Sequence, residues 1–445
     1  MQRLVGWLLV ILLAACGPQG GPVAGKRHAP GPLPGVPSLN AATPYGSTAW
    51  DNGTLAQLFV HLTHDLEWGG ARPNLVRLEA PISIGITGCC ASDYAAFLDG
   101  FLAELRSQTG IAIRRAAAPH NLLIHFVPGN DFRSRVPAHL CVVAPGRLPW
   151  NRFRESPERF GTRAFEQRRE AGAMSVYIPD TLPPYLVRRC MIEEVTQALG
   201  LANDLSGLGD TIFNDDGVHI WPTALDYLMV RVLYSPTIRT GLNRNETRNR
   251  ARSELDRINP SGRSARPLPK LNIRAMRDWS EQIANAFDRT KSDSERIRSA
   301  ETALNLASGR LRSSPQHCRS LIVAARLTQA APDRALRRLN AAAQTCRAAH
   351  GPQDPRIGLV NLARARALFR LGRTSEAYGL SDGLEASLAA HGQSERLVAL
   401  YALQAAALKA IQQPESSARA ARRAAAWAEY SLGRNHPEAK RLANR

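Results

Sequence analysis

Three glycines, Gly351, Gly392 and Gly433, stand 41 residues apart in the C-terminal part of the chain. The same step relates Leu321, Leu362 and Leu403, then Ala324, Ala365 and Ala406, and finally Leu336, Ala377 and Ala418. A fixed period of this length restricts the fold sharply, because one such unit cannot bury its own apolar face and must stack on copies of itself. Each unit contains two helical stretches around a short break, as in Leu371-Gly372-Arg373-Thr374-Ser375-Glu376-Ala377. Cys318 falls near the start of one predicted helix and Cys346 near the end of the next. In an antiparallel hairpin those positions lie side by side, as a disulfide requires. Cys141 with Cys190 is the second candidate pair.

The array resembles tetratricopeptide repeats with longer than usual units, similar to the kinesin-light-chain variety. That resemblance implies an all-α repeat domain over 273–445 that recruits a protein partner. The length before it fits one further domain.

The N-terminus reads as a processing signal. Arg3 precedes an apolar run from Leu4 to Leu13, too short to span a bilayer as a mature helix. Leu13-Ala14-Ala15-Cys16 has the small-residue pattern of a bacterial lipobox. Residues 1–15 are therefore expected to be a signal peptide, with Cys16 the lipid-bearing residue. Several acyl chains at one site would anchor the chain durably in the cell envelope. Gly17 after the cysteine, rather than Asp, favours the outer membrane facing the periplasm. Residues 16–45, rich in Gly, Pro and small residues, read as a partly extended tether. Export to an oxidising compartment favours disulfides among the remaining cysteines.

The formal net charge is +19, and the basic residues are nearly all Arg. Arg with abundant Ala is also what a GC-rich genome produces. As function, a basic surface suits anionic lipid headgroups or envelope polymers. Aromatic residues make up only 6% of the chain, and no stacking platform or zinc finger is present, which argues against nucleic acid.

Residues 46–243 read as a second kind of domain. Leu55, Leu58, Phe59, Leu62 and Leu66 recur at helical spacing. Pro81 to Ile86 alternates like a half-buried strand, Tyr94 to Gln108 returns to a helical period, and Leu122–Val127 and Met174–Ile178 are short apolar strands. A helix from Pro184 to Leu201 follows, carrying C-M-I-E-E-V-T-Q-A-L-G-L-A-N-D from Cys190 to Asp204. Asp210-Thr211-Ile212-Phe213-Asn214-Asp215 reads as a tight turn, and Pro222 to Tyr234 as a closing helix with Thr223 at its N-cap. Residues 244–272, basic and carrying Pro260, Pro267 and Pro269, read as a short helix and linker.

The segment from Cys190 resembles the metzincin zinc site, H-E-x-x-H-x-x-G-x-x-H, with every histidine replaced. Glu193, Gln197 and Asn203 stand at the ligand positions, Glu194 at the general base and Gly200 at the turn. Phe213 takes the place of the Met-turn methionine. The block also resembles a family of uncharacterised proteobacterial lipoproteins that share E-E-x-x-Q-x-L-G-L-x-N-D and I-F-N-D. These resemblances imply an α+β, zincin-like domain and bring no activity with them.

Zinc catalysis needs neutral imidazoles to hold the metal while leaving it acidic. Amide and carboxylate oxygens at 193, 197 and 203 instead suit a hard cation such as calcium. Glu193 and Gln197, four apart, share a helix face, and Gly200 lets Asn203 approach the same point. Three readings follow: a hydrogen-bonded polar cluster, which is favoured, a cation or ligand pocket, and an envelope hydrolase in which Glu194 is the catalytic base around an unconventional metal site. His125, in a strand, and His219, in a loop, read as structural. No zinc and no other cofactor is expected. The favoured function is a lipid-anchored, non-catalytic scaffold with a helical interaction arm.

Overall fold

The structure, a computed structural model, describes residues 50–443 apart from 68–69, 138, 168–171, 206–207, 209, 215–216, 266–272, 289 and 312–313. The expected signal peptide over 1–15, Cys16, the expected tether over 16–45 and Asp215 lie outside the described residues.

Asp51 starts α1 (Asn52–His64) by accepting the Thr54 amide at 2.7 Å, satisfying a helix-end donor that has no partner within the helix. The alternation after Pro81 becomes β1 (Ile82–Thr87), followed by α2 (Ala91–Thr109), which stops at Gly110 with φ +74°. Then come β2 (Ile113–Arg115), β3 (Leu122–Val127), α3 (Gly129–Arg135) and β4 (Val142–Pro145). The short helices α4 (Trp150–Phe153), α5 (Pro157–Phe160) and α6 (Thr162–Gln167) lead into β5 (Met174–Pro179). Finally α7 (Pro184–Ala198), α8 (Ala224–Leu233) and α9 (Arg244–Ile258) complete the first unit.

The five strands form one sheet in the order β2-β1-β3-β5-β4. All neighbours are parallel except β4, which runs antiparallel to β5 at the edge. Strands and helices interleave, so this unit is mixed α/β, and the α+β expectation holds only in that coarser form. The link from β2 to β3 crosses the face of β1 at Gly85, where a Cβ would come within 2.5 Å of the His120 ring. One sheet face, with Ile82, Ile84, Ile124 and Val176, packs on α2 and on Val187, Met191 and Val195 of α7. The other face, with Val142, Ala144 and Tyr177, lies under Phe132, Trp150 and Phe153. All six residues of β5 are buried, as a central strand covered on both faces should be.

The span 244–272 is not simply a linker. Its first part is α9, whose Ala251 and Leu255 belong to the main core of the first unit. Buried His64 of α1 ties the two helices together through Thr247 Oγ1 at 3.0 Å. Apart from its one buried stripe, α9 is charged and exposed, so composition hides its place in the core.

The C-terminal region is helical. It comprises α10 (Ile273–Phe287), α11 (Asp293–Asn305), α12 (Ser314–Leu327), α13 (Pro332–His350) and α14 (Pro355–Arg370). After these come α15 (Thr374–Ser381), α16 (Leu384–Ala390), α17 (Ser394–Ala410), α18 (Pro414–Leu432) and α19 (Pro437–Ala443). Apolar clusters succeed one another along it, each built from neighbouring helices, as in a stacked array. Gly351, Gly392 and Gly433 have φ of +88°, +70° and +92°, a conformation that glycine adopts without steric cost. Leu321, Leu362 and Leu403 are all buried, whereas Ala418 is exposed on α18, where only α19 follows in the described chain. A disulfide joins Cys318 of α12 to Cys346 of α13, and another joins Cys141, just before β4, to Cys190 of α7.

Candidate functional site

The site is built on α7, whose apolar face is buried against the sheet and whose middle is tied to the edge strand through Cys190. Gly200 turns the chain away after the helix. Its φ is +135°, and a Cβ there would stand 2.9 Å from the Val76 carbonyl, so glycine is required on two counts. The guanidinium of buried Arg72 donates to the Gly200 carbonyl at 3.2 Å.

Glu193, Gln197 and Asn203 are each held by a different neighbour. Glu193 pairs with Arg189, one turn earlier on α7, at 3.3 Å. Gln197 donates from Nε2 to Asp204 Oδ1 at 3.3 Å. Asn203 donates from Nδ2 to the His61 carbonyl, near the end of α1, at 3.2 Å. Glu194 is buried on the same helix, 6% exposed. His125 alternates onto the sheet face opposite α7 and stacks on Tyr177 with ring centres 5.2 Å apart, so it offers no imidazole to α7. Burial pushes His125 down to about 4.

The turn after the motif hangs on a residue whose role the sequence reading missed. The fully buried carboxylate of Asp226 accepts from Thr211 Oγ1 at 2.5 Å, from the Ile212 amide at 3.1 Å and from the Thr223 amide at 2.8 Å. Thr223 returns a cap to the Asp226 amide at 3.3 Å. The Thr–x–x–Asp spacing of a capping box was the signal that could have found it. Burial pushes the Asp226 carboxyl up to about 6, against the hydrogen bonds that favour its ionised form. Phe213, in the turn, is completely buried.

Three helix ends of the helical region, with the turns beside them, meet this unit in succession. At the end of α13 His350 Nδ1 lies 3.7 Å, and at the start of α14 Arg356 Nη1 lies 3.8 Å, from Asp210 Oδ1. After α16, Gln393 donates to the carbonyls of Gly217, at 3.3 Å, and Val218. There the His391 ring centre also lies 6.2 Å from that of His219. At the end of α18, Arg188 of α7 donates to the Tyr430 carbonyl at 2.6 Å and stacks over its ring at 3.8 Å. These contacts cluster at the three glycines of the 41-residue period, so the repeat presents one continuous edge to the first unit.

Asp210, His350 and Asp354 form a group with ligand atoms close enough to share a cation. Arg356 already supplies positive charge there, 2.8 Å from Asp354 Oδ2. Burial opposes ionisation of Asp210, but His350, Arg356 and His219 outweigh it and hold the carboxyl below its usual range. The group is an ion-pair network between the two halves.

Residues 52–253 match the family model described as "Protein of unknown function (DUF2927)". A DUF2927 domain spans this region. Its limit falls within α9, in accord with the packing of that helix on α1. No curated protein and no solved structure matches the chain.

Asp226 carries a pH prediction. A folded pKa near 6 against an unfolded value near 4 means that the native chain holds the extra proton between them. The group's contribution is full below about pH 4 and is lost as pH rises through about 6. Relative to Asp226→Asn, which does not titrate, the wild type should lose up to about 3 kcal/mol between pH 4 and 7. Urea denaturation of both proteins at each pH reads this difference, and a difference independent of pH would place the carboxyl at its ordinary value.

Proposed function

We propose that the chain is a lipid-anchored protein of the bacterial cell envelope, with a metzincin-like but non-catalytic first domain and a tetratricopeptide-like arm that binds a protein partner. The pairing of Arg189 with Glu193 carries the non-catalytic reading. A metal centre needs its positive charge at the ligand positions, and here a guanidinium of the same helix supplies it. Gly217 lies against that guanidinium, such that a Cβ there would meet Arg189 Nη1 at 3.0 Å. Gln393 of the arm holds the Gly217–Val218 backbone from the other side. Gly217, held by Gln393, thus backs the guanidinium that pairs with Glu193.

The order of strands, α7, turn and α8 supports the zincin-like reading, as it is the order expected of that fold. Stacked hairpins with glycine turns at a fixed period support the repeat reading. With the glycine-loop edge taken up by the first domain, the partner surface is on the remaining faces of the arm. Exposed Arg337, Arg347, Arg419 and Arg422 there suit an acidic partner or an anionic envelope polymer. Among the described residues no helix is long and apolar enough to cross a membrane, so on this reading Cys16 supplies the anchor.

Two outcomes test the proposal. The triple variant Glu193→His, Gln197→His, Asn203→His should bind zinc at least about 100-fold more tightly when Arg189→Ala is added, because the guanidinium then no longer opposes the metal. Titration with a zinc indicator measures it, and equal affinity with and without Arg189 would remove the internal cation from the account. Separately, Cys16→Ser should abolish metabolic labelling with a fatty acid, whereas labelling that survives would place any anchor elsewhere.

A further inference from the structure

With Cys141 bridged to Cys190 and Cys318 to Cys346, the cysteines left among the described residues are Cys89 and Cys90. They are consecutive, in the turn between β1 and α2, and Cys90 is the residue directly before α2. Their sulfurs stand 2.9 Å apart, within an ångström of the covalent S–S distance of about 2.0 Å. Cys89 is exposed, and Cys90 is buried beneath it. Gly88 ahead of them has φ +106°, and a Cβ there would collide with the Phe126 carbonyl, so the turn is held against β3.

The place is as notable as the pair. The turn lies at the carboxyl ends of the parallel strands β1, β3 and β5, the edge at which open α/β sheets receive ligands. Asp180, directly after β5, sets Oδ2 3.8 Å from Cys89 Sγ, while its Oδ1 accepts the Gly129 amide after β3 at 2.9 Å. Three strand ends therefore meet at one exposed thiol with a second thiol behind it.

We propose that Cys89 and Cys90 are a thiol–disulfide exchange site, a vicinal dithiol that reduces an external disulfide and closes into an eight-membered ring. Cys89 gives its proton to solvent and attacks one sulfur of the external disulfide. A mixed disulfide forms, and the other sulfur leaves as a thiolate and is protonated. Cys90 then loses its proton and attacks the Cys89 sulfur, expelling the second external thiol. Two protein thiols are oxidised and one external disulfide is reduced to two thiols. Burial, together with its bond to Cys89, pushes the Cys90 thiol up, so entry is at Cys89 and ring closure is the slower step. A ring this small is strained and is reopened by thiols more readily than the two long-range bridges.

The test uses the full chain, with both vicinal thiols first reduced under conditions that spare the two long-range bridges. Oxidised glutathione is added, free thiols are alkylated, and the tryptic peptide 78–106, which holds both cysteines and no other, is weighed. The expected product has lost two hydrogens and carries neither glutathione nor alkyl group. Cys90→Ser should trap glutathione on Cys89, and Cys89→Ser should react at least tenfold more slowly. A wild-type peptide that keeps a glutathione adduct, or that remains doubly alkylated after the oxidant, overturns the proposal. Because the deciding outcome is read on the wild type, a variant that fails to fold leaves the test intact.

Discussion

A buried helix that carries two adjacent carboxylates must find positive charge or hydrogen bonds nearby, and on α7 Arg189 meets Glu193 one turn away. Both side chains are largely buried, with exposures of 18% and 13%. Removing one partner of such a pair leaves an uncompensated charge and costs about 3–5 kcal/mol, although the pair itself adds little net stability. The ion pair therefore matters less as a source of stability than as a condition for everything around it. The apolar face of α7 can stay in the core because its polar edge is satisfied from within the chain. Gln197 and Asn203 obey the same constraint through Asp204 and the carbonyl of His61.

The second constraint is the clamp on the loop that follows. Its early part is fixed from one side by Asp226, which binds the Thr211 hydroxyl and the Ile212 amide. Its later part is fixed from the other side by Gln393 on the backbone of Gly217 and Val218. The arm can do this because its units repeat. Loops that recur every 41 residues leave the array along one edge, so a single docked surface engages three of them at Asp210, at Gly217–Trp221 and at the start of α7. The periodic loops thus act inside the chain, as contacts to the first unit.

Much of the fold was legible because burial leaves a periodic mark. Ile82, Ile84 and Ile86 alternate, and Leu98, Phe101, Leu102 and Leu105 recur at helical spacing, so β1 and α2 were readable. The edge strands β2 and β4 were not: Ile113–Arg115 has one apolar residue, and Val142–Pro145 is four residues long and ends in proline. A short helix was expected where α9 lies, but its packing into the core of the first unit was not legible, because only a narrow stripe of it is buried. At the site, Glu193, Gln197 and Asn203 could be singled out, but their partners distant in the chain could not. That Glu193 meets Arg189 is an i, i+4 relation open to sequence reasoning, whereas Asn203 reaching α1 depends on a chain reversal at Gly200. The docking of His350, Gln393 and Tyr430 onto the first unit is long-range, and the period foretold only that these loops would be equivalent.

The account turns on the claim that α7 and its turn are held by internal charge and hydrogen bonds rather than by a metal. The direct measurement is elemental analysis of the purified chain by plasma mass spectrometry, with thermal unfolding before and after a strong chelator. The account predicts less than stoichiometric transition metal and an unchanged Tm. A stoichiometric transition metal whose removal lowers Tm would contradict it and would point to metal chemistry at this helix.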